Sequence, residues 1–483
     1  MSKEKTAGQL LQEKLTMTKK TGWEGLSEND KKTAFEFAER YKLMLSACKT
    51  EREWTAATIS LLSMYGFKDI DTALSSNDSP KMAPGTLVYR NCHNKALAFA
   101  IIGKKPPTEG MNILGSHIDS PRLDLKSTPL YEDGGFAYFD THYYGGIKKY
   151  QWMSIPLALH GIVILKDGTS VKITLGEEEN EPALVITDLL PHLAHEQMEK
   201  KASELVNGEE LDALIGSIPY PEKDIKEAVK LNTLKLLNDK YGITEEDFAG
   251  AELELVPAGK ARDIGFDQSM IGAYGHDDRC CAYPAIQALL EFAPSQEHPN
   301  IIPEKTLVVY LSDKEEIGSY GNTGADARFF EDFIHDLCGD VPNSRFHQAL
   351  QKSAMLSADV GAAYDPRFSG VYDKNGSPYL GKGISLTKYT GSRGKYGASD
   401  ANAEYYNKVT QILNEAKVPW QFGDLGKVDK GGGGTIALYA AKLGIEVLDC
   451  GIAVLSMHSP FEIISKIDLY NTYRAYLAFL KDA

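Results

Sequence analysis

The sequence predicts an α/β fold in which helices cover both faces of a β-sheet. Short apolar runs that indicate buried strands alternate with amphipathic helical patterns along most of the 483 residues. Such alternation is typical of α/β domains, because each strand and each helix buries its apolar side against the next layer. The predicted strands are Lys95–Ile102, Asn112–Gly115, Thr306–Leu311, Ala354–Ala358 and Glu446–Leu455.

The predicted helices begin near the N-terminus. Ser27 is a typical helix cap, and apolar residues recur at helical spacing from there to Cys48. A second helix is predicted from Glu51 to Tyr65, before Gly66. Further helices are predicted at Cys280–Phe292, Ala325–Leu337, Asp400–Ala416 and Thr435–Leu443.

The middle of the chain has a different pattern. Gly161–Leu165 and Ser170–Leu175 flank an Asp-Gly turn and predict a hairpin. Two charged helical stretches follow, near Glu196–Leu205 and Glu222–Lys240, and then an alternating strand, Glu252–Val256. We therefore expect residues 123–257 to form an inserted domain. Residues 1–122 and 258–483 would together form the α/β domain.

Composition restricts the function classes. The chain has 52 Lys and Arg against 67 Asp and Glu, so its net charge is 52 − 67 = −15. This charge disfavours nucleic acid and anionic membranes as partners. No apolar stretch approaches the roughly 18 residues of a membrane span, and residues 1–5 do not lead into an apolar signal core. The six cysteines form no C-x-x-C pair, so we expect reduced thiols and a cytoplasmic enzyme.

Acidic and histidine residues follow the predicted strands directly. The carboxyl ends of strands in open α/β sheets form the binding crevice, so these side chains should meet at one edge. Crowded carboxylates repel one another unless a cation lies between them. Imidazole and carboxylate ligands suit two Zn²⁺ or similar ions. The candidates are His117, Asp119, Glu315, Glu316, Asp359 and His458, with Asp277 at a predicted helix start.

Each of these motifs also has a simpler explanation. His117 and Asp119 lie two apart and share one side of an extended segment, which suits a ligand and the carboxylate behind it, or equally a polar strand end. Glu315 and Glu316 are adjacent, so their side chains diverge and would do different jobs. They also fit a solvated acidic turn. Asp277 could be an ordinary helix cap.

The ordered set of motifs resembles the aspartyl aminopeptidase / vacuolar aminopeptidase I family of dinuclear metallopeptidases. The motifs are His117-Ile-Asp119-Ser-Pro, Asp277-Asp278, Glu315-Glu316-Ile-Gly-Ser, Ser357-Ala-Asp359 and Met457-His458-Ser. The resemblance implies a three-layer αβα catalytic domain with a mixed sheet, interrupted by a smaller β-rich dimerisation domain. It also implies a homo-oligomer, a dodecamer built from dimers.

The resemblance also implies a role for each residue. His117, Glu316, Asp359 and His458 would be metal ligands, Asp277 would bridge the metals, Asp119 would lie behind His117, and Glu315 would be the general base. Two further residues resemble substrate contacts of the family. His192 would reach a neighbouring subunit's active site, although it could be an ordinary surface histidine. Lys388 would contact substrate, although it could be an ordinary solvated lysine.

The sequence departs from the family pattern at one place. His276-Asp277-Asp278 stands where the family commonly has Leu-Asp-Asn. The second aspartate leaves open whether Asp277 or Asp278 is the bridge. His276 adds an imidazole, and we hypothesise that it changes the metal preference, so that His276→Leu would alter which ion activates best.

The sequence favours a metalloaminopeptidase that removes single N-terminal residues from peptides. The enzyme would use two divalent ions per subunit, zinc or else cobalt or manganese, and Glu315 would act as the general base. One alternative is a dinuclear-metal carboxypeptidase or N-acyl amino acid deacylase. Another is a self-assembling shell or binding protein with a structural metal site. The preferred N-terminal residue stays open between acidic and neutral or aliphatic.

Overall fold

The computed structural model describes residues 5–17, 21–75, 82–294 and 301–483. Residues 1–4 of the N-terminal segment considered above lie outside the described residues. Within the described ranges, no helix has both the length and the apolar content needed to cross a membrane.

The strands form two main sheets and several small ones. The strands that come first along the chain are β1 (Lys68–Asp69), β2 (Leu87–Cys92), β3 (Ala96–Ile101), β4 (Met111–His117), β5 (Arg122–Asp133), β6 (Phe136–Tyr144), β7 (Leu157–Ile164), β8 (Ser170–Leu175), β9 (Ala213–Gly216), β10 (Glu252–Pro257) and β11 (Arg262–Ile264). The others are β12 (Met270–Ala273), β13 (Thr306–Ser312), β14 (Ala354–Ser357), β15 (Gly361–Ala362), β16 (Ile384–Thr387), β17 (Gly391–Ser392), β18 (Trp420–Phe422), β19 (Gly432–Gly433), β20 (Glu446–Gly451), β21 (Ala453–Val454) and β22 (Glu462–Ser465).

The large sheet is mixed and has the strand order β1-β2-β3-β13-β4-β14-β20-β16-β18. Its centre, β13, β4, β14 and β20, is parallel. On either side of this centre, β3 and β16 run antiparallel to their neighbours. Four parallel strands therefore end at the same edge, which is the edge where the candidate site residues follow.

Helices lie on both faces of this sheet. The helices of the described residues are α1 (Ala7–Leu15), α2 (Glu28–Ala47), α3 (Glu51–Met64), α4 (Ile70–Ser75), α5 (His195–Met198), α6 (Ala228–Tyr241), α7 (His276–Leu290), α8 (Phe329–Cys338), α9 (Asn343–Gln351), α10 (Ala403–Glu415), α11 (Ala437–Lys442) and α12 (Lys466–Asp482). Of these, α6 packs on the second sheet instead. Strand β3 shows why two layers are needed. All its residues are buried, with Leu97 and Phe99 in one apolar core and Ala98 and Ala100 in the other. The α/β prediction with a mixed sheet is confirmed.

The N-terminal helix prediction is confirmed together with its cap. The Ser27 hydroxyl accepts a hydrogen bond from the Asp30 backbone N–H at 3.1 Å, and the Asp30 carboxylate accepts from the Ser27 N–H. This is a capping box with Asp at the third position. The apolar positions at helical spacing, including Phe37 and Tyr41, are buried, and both of these rings contact Tyr283 of α7.

The second sheet is antiparallel, in the order β8-β7-β10-β5-β6-β9, and lies between Arg122 and Pro257 in the chain. It has an apolar core of its own, which includes Leu123, Phe139 and Leu255. The predicted hairpin is β7–β8, and Gly168 takes the positive φ of its turn. The domain borders at 122/123 and 257/258 stay a prediction.

Some element predictions are wrong. The segment Glu196–Leu205 is helical only in α5, His195–Met198, because it has no apolar face to bury and Met198 itself is exposed. The predicted strand Glu446–Leu455 is interrupted after Gly451. The C-terminal helix α12 is missing from the sequence prediction, although many of its residues are buried and it packs against α2 and α7.

Candidate active site

Three neighbouring parallel strands deliver His117, Glu315 and Asp359 to one edge of the large sheet. Strand β4 ends at His117, and its partner β13 ends level with it at Ser312, three residues before Glu315. On the other side of β4, β14 ends two residues before Asp359. The strand-end pattern therefore predicted a real juxtaposition.

Asp277 lies at the centre of the cluster, at the start of α7. Its Oδ1 is 3.1 Å from His117 Nε2, and its Oδ2 is 3.2 Å from His458 Nε2. Two groups of possible ligand atoms, each within 4.8 Å, share this carboxylate: one adds His117 and Asp359, the other Glu316 and His458. Although burial opposes it, hydrogen bonds from the two histidines hold the pKa of Asp277 well below its ordinary value.

Asp278 is oriented differently from Asp277. Its Oδ2 accepts a hydrogen bond of 2.5 Å from the Ser116 hydroxyl, and the residue is fully buried. Burial raises the pKa of Asp278 well above its ordinary value. Asp277, rather than Asp278, therefore faces both histidines.

Glu315 and Glu316 form a tight turn after β13. Lys314, just before them, has a φ of 65°, and the two side chains diverge as expected. Glu315 Oε2 is 3.9 Å from His117 Nε2, whereas Glu316 Oε2 is 3.4 Å from His458 Nε2. Burial raises the pKa of Glu315 to about 7, even though His117 opposes the shift. Burial, with Asp277 nearby, raises the pKa of Glu316 well above its ordinary value.

Asp119 connects His117 to the glutamate turn. One of its oxygens, Oδ1, lies 3.2 Å from His117 Nδ1 and accepts from the Glu315 backbone N–H at 3.1 Å. The other, Oδ2, accepts from the Glu316 N–H at 3.2 Å and from the Tyr144 hydroxyl at 2.9 Å. A single buried carboxylate therefore orients a histidine and two acidic residues.

The cluster fits a divalent cation by its chemistry. Glu316 Oε1 is buried and has no hydrogen-bond partner among the described residues, as expected for an atom with a metal to bind. Although burial lowers it, the hydrogen bond to Asp277 raises the pKa of His458 to about 10, so without a metal a proton supplies the positive charge. A cation would replace such protons. The N/O donor set suits zinc.

Two predicted substrate residues are not in the cluster. His192 is exposed in the loop before α5, and no contact joins it to the cluster in the part of the chain that the structure describes. The Lys388 Nζ donates to Asp400 Oδ1 at 2.5 Å and to the Ala401 carbonyl at 2.9 Å, within its own loop. The roles of both residues stay predictions.

The structure gives His276 a different role from the hypothesised one. Its ring is fully buried, with Nδ1 at 2.8 Å from the Tyr41 hydroxyl and Nε2 at 3.2 Å from the Ile271 carbonyl. Burial lowers the pKa of His276 to about 3, so the ring is neutral. Because both nitrogens are engaged with the protein, His276 has none to offer as a metal ligand.

Sequence reasoning missed Glu462. Its Oε2 accepts from the Asp277 backbone N–H at 3.1 Å, and its Oε1 accepts from the His458 backbone N–H at 2.7 Å. The residue is 2% exposed. The available signal was an acidic residue four positions after His458, which the strand-end pattern did not include because Glu462 begins a strand rather than following one.

Known proteins resemble the chain over nearly its full length. The family model of the aminopeptidase I zinc metalloproteases (M18) matches residues 44–480. A probable M18 family aminopeptidase 1 from Clostridium acetobutylicum is 50% identical over 466 residues, 96% of this chain and 98% of the relative. The crystal structure of an M18 aminopeptidase from Thermotoga maritima has a TM-score of 0.90 and 43% identity, covering 97% of this chain and 100% of that one. The mApe1 dodecamer of S. cerevisiae has the same fold, at TM-score 0.73 and 22% identity over 94% of this chain and 97% of that one.

Proposed function

The chain belongs to the M18 family of aminopeptidase I zinc metalloproteases and is a metal-dependent aminopeptidase; we propose that it works with two divalent ions per subunit, held at the Asp277 cluster. The observation that carries this proposal is the position of Asp277, whose two oxygens face different histidines. His117 and Asp359 would bind one ion, Glu316 and His458 the other, and Asp277 both.

Glu315 is the proposed general base. When bound, the ions would polarise the scissile carbonyl and acidify a water molecule. The Glu315 carboxylate lies 3.9 Å from His117 Nε2 and belongs to neither ligand group, so it is available to accept a proton and return it. It would take a proton from the attacking water and pass it to the leaving amine. Asp119 would hold the Glu315 main chain during both transfers.

The carboxylates of the cluster also suit an exopeptidase. A free N-terminal ammonium group gains from a nearby carboxylate, whereas an acetylated N-terminus has no charge to offer. We therefore propose that peptides bind with their free amine against the cluster, and that acetylated peptides are poor substrates.

Assembly with further copies is the second part of the proposal. Leu189, Leu190 and Leu193 are 52%, 49% and 69% exposed, so an apolar surface surrounds His192 in the second sheet's long loop. Apolar side chains gathered at one surface are typical of interaction sites. We propose that this loop packs on a neighbouring subunit, that His192 contacts substrate there, and that Lys388 contacts it from the same chain. The proposed assembly is a dodecamer, with residues 123–257 as its dimerisation domain.

The test is release of the N-terminal residue from a panel of X-Ala-Ala peptides and their N-acetylated controls, with zinc, cobalt or manganese. Wild type should cleave only free-amine peptides, and Glu315→Gln should lower the rate by about 10²- to 10⁴-fold, the usual contribution of a general base. Zinc content should be equal in both, because Glu315 is not a proposed ligand. Turnover of acetylated controls would favour the deacylase, and full activity of the variant would exclude Glu315 as the base.

A further inference from the structure

Glu462 makes two main-chain contacts that join the halves of the cluster. Its carboxylate accepts one hydrogen bond from the Asp277 N–H and one from the His458 N–H. These two residues lie 181 positions apart in the chain (458 − 277) and supply the side chains that face each other across 3.2 Å. No other described side chain bonds both of their backbone N–H groups.

The fold fixes the position of this carboxylate. Strands β12 and β22 pair antiparallel in a small sheet, and Glu462 lies opposite Ala273. Four residues after Ala273 the chain reaches Asp277, and four residues before Glu462 it contains His458. One strand pair therefore brings the carboxylate and both backbone N–H groups together.

The local backbone needs such support. His458 has a φ of 61°, in the left-handed region that a residue with a Cβ seldom adopts. Such a conformation persists when surrounding contacts hold it. The hydrogen bond of 2.7 Å from the His458 N–H to Glu462 is one such contact. The His458 ring has a second, since Nδ1 lies 3.0 Å from the Gly146 carbonyl.

We propose that Glu462 is a positioning residue that sets the geometry between Asp277 and His458, and through it the affinity of the site for its metals. This inference rests on the proposed metal site. Glu462 contributes no atom to either ligand group. Its effect passes through the main chain, as that of Asp119 does on Glu315 and Glu316. Two buried carboxylates would thus support the site through main-chain hydrogen bonds.

Asp468 provides a matched control for the experiment. It is also fully buried, and its two oxygens accept from the Gly381 and Gly383 backbone N–H groups at 2.6 and 2.7 Å. It belongs to neither ligand group. Glu462→Gln and Asp468→Asn therefore remove the same kind of double acceptor, one beside the proposed metal site and one away from it.

The measurement is zinc affinity by chelator competition, together with the visible absorption spectrum of the cobalt-substituted protein, which reports ligand geometry. In Glu462→Gln one N–H would face the amide NH₂ instead of an acceptor, so we expect zinc affinity to fall about 10- to 100-fold and the cobalt spectrum to change. Asp468→Asn should lower stability only. If Glu462→Gln does not fold, Glu462→Asp draws the carboxylate back by roughly 1.5 Å and should show the same losses.

Unchanged zinc affinity and an unchanged cobalt spectrum in the Glu462 variants would overturn the inference. Equal losses in Asp468→Asn would overturn it too, because they would show a general effect of destabilisation. A wild type that binds no zinc would refute the proposed metal site itself, so the failure of that proposal is distinguishable from the failure of this one.

Discussion

Replacing Asp119 with Asn should slow peptide hydrolysis without removing a proposed metal ligand or the proposed general base. The carboxylate of Asp119 faces a donor pair at each oxygen: the Glu315 N–H and His117 Nδ1 at Oδ1, and the Glu316 N–H and Tyr144 hydroxyl at Oδ2. An asparagine has only one acceptor oxygen. Whichever way its amide is turned, the NH₂ group meets a backbone N–H that cannot become an acceptor.

The expected loss of activity follows from the number of hydrogen bonds that Asp119→Asn removes. The Tyr144 hydroxyl can rotate and accept, so the minimum loss is one backbone N–H bond to a charged acceptor. Such a bond contributes about 1.5 to 3 kcal/mol. If the loss is felt in the transition state, kcat/KM falls roughly 10- to 100-fold. Tyr144→Phe removes only one donor and keeps the negative charge of Asp119, so its effect should be smaller, below about tenfold.

The assay is steady-state hydrolysis of an X-Ala-Ala peptide by zinc-loaded wild type, Asp119→Asn and Tyr144→Phe, with zinc content measured for each. The order of activity should be wild type, then the Tyr144 variant, then the Asp119 variant. An Asp119→Asn enzyme within about twofold of wild type would refute the reasoning that this carboxylate orients the turn. A Tyr144 variant as slow as Asp119→Asn would refute the explanation that the loss of activity in Asp119→Asn comes from a lost backbone hydrogen bond.

Two further predictions concern the rest of the molecule. His160 lies between Glu53 at 3.1 Å and Glu177 at 2.9 Å; although burial opposes it, these hydrogen bonds raise the pKa of His160. Protonated His160 therefore stabilises the folded protein fully below its unfolded pKa of about 6.5, and this contribution is lost as the pH rises through its folded pKa. In urea unfolding, the free energy of unfolding of wild type should fall as the pH rises above about 6.5, and it should fall less in His160→Gln; equal slopes would contradict this. Leu193→Asp should reduce the assembly to smaller species in mass photometry and lower activity on dilution, whereas an unchanged mass would exclude this loop from the interface.

The site residues that could be placed together from sequence are those that directly follow a predicted strand. His117, Glu315 and Asp359 could be placed together from sequence because β4, β13 and β14 are apolar runs, and parallel strands end at one edge. The contact of Glu462 with Asp277 depends instead on the pairing of β12 with β22, two short strands from distant parts of the chain. Nothing in the local pattern of either strand specifies that partner.

The same distinction explains why His276 is not among the possible ligands. Adjacent residues on a chain share a neighbourhood only if the backbone points their side chains the same way. At the start of α7 the His276 ring turns into the core and contacts Tyr41, whereas the Asp277 side chain contacts His117 and His458. Sequence could identify the motif but could not determine the orientation of each of its residues.

The electrostatics of the cluster explain why its supporting carboxylates are needed. Asp277, Glu315, Glu316 and Asp359 are close enough that burial and mutual repulsion raise the pKa of the last three. Left to relax, such side chains would move apart or take up protons. Asp119 and Glu462 accept hydrogen bonds from the backbone of these residues, so they can restrain the proposed ligands without using any of the proposed ligand oxygens. At the proposed metal site, main-chain hydrogen bonds would therefore hold the cluster in place before a metal binds, and the metal would replace protons rather than create the geometry.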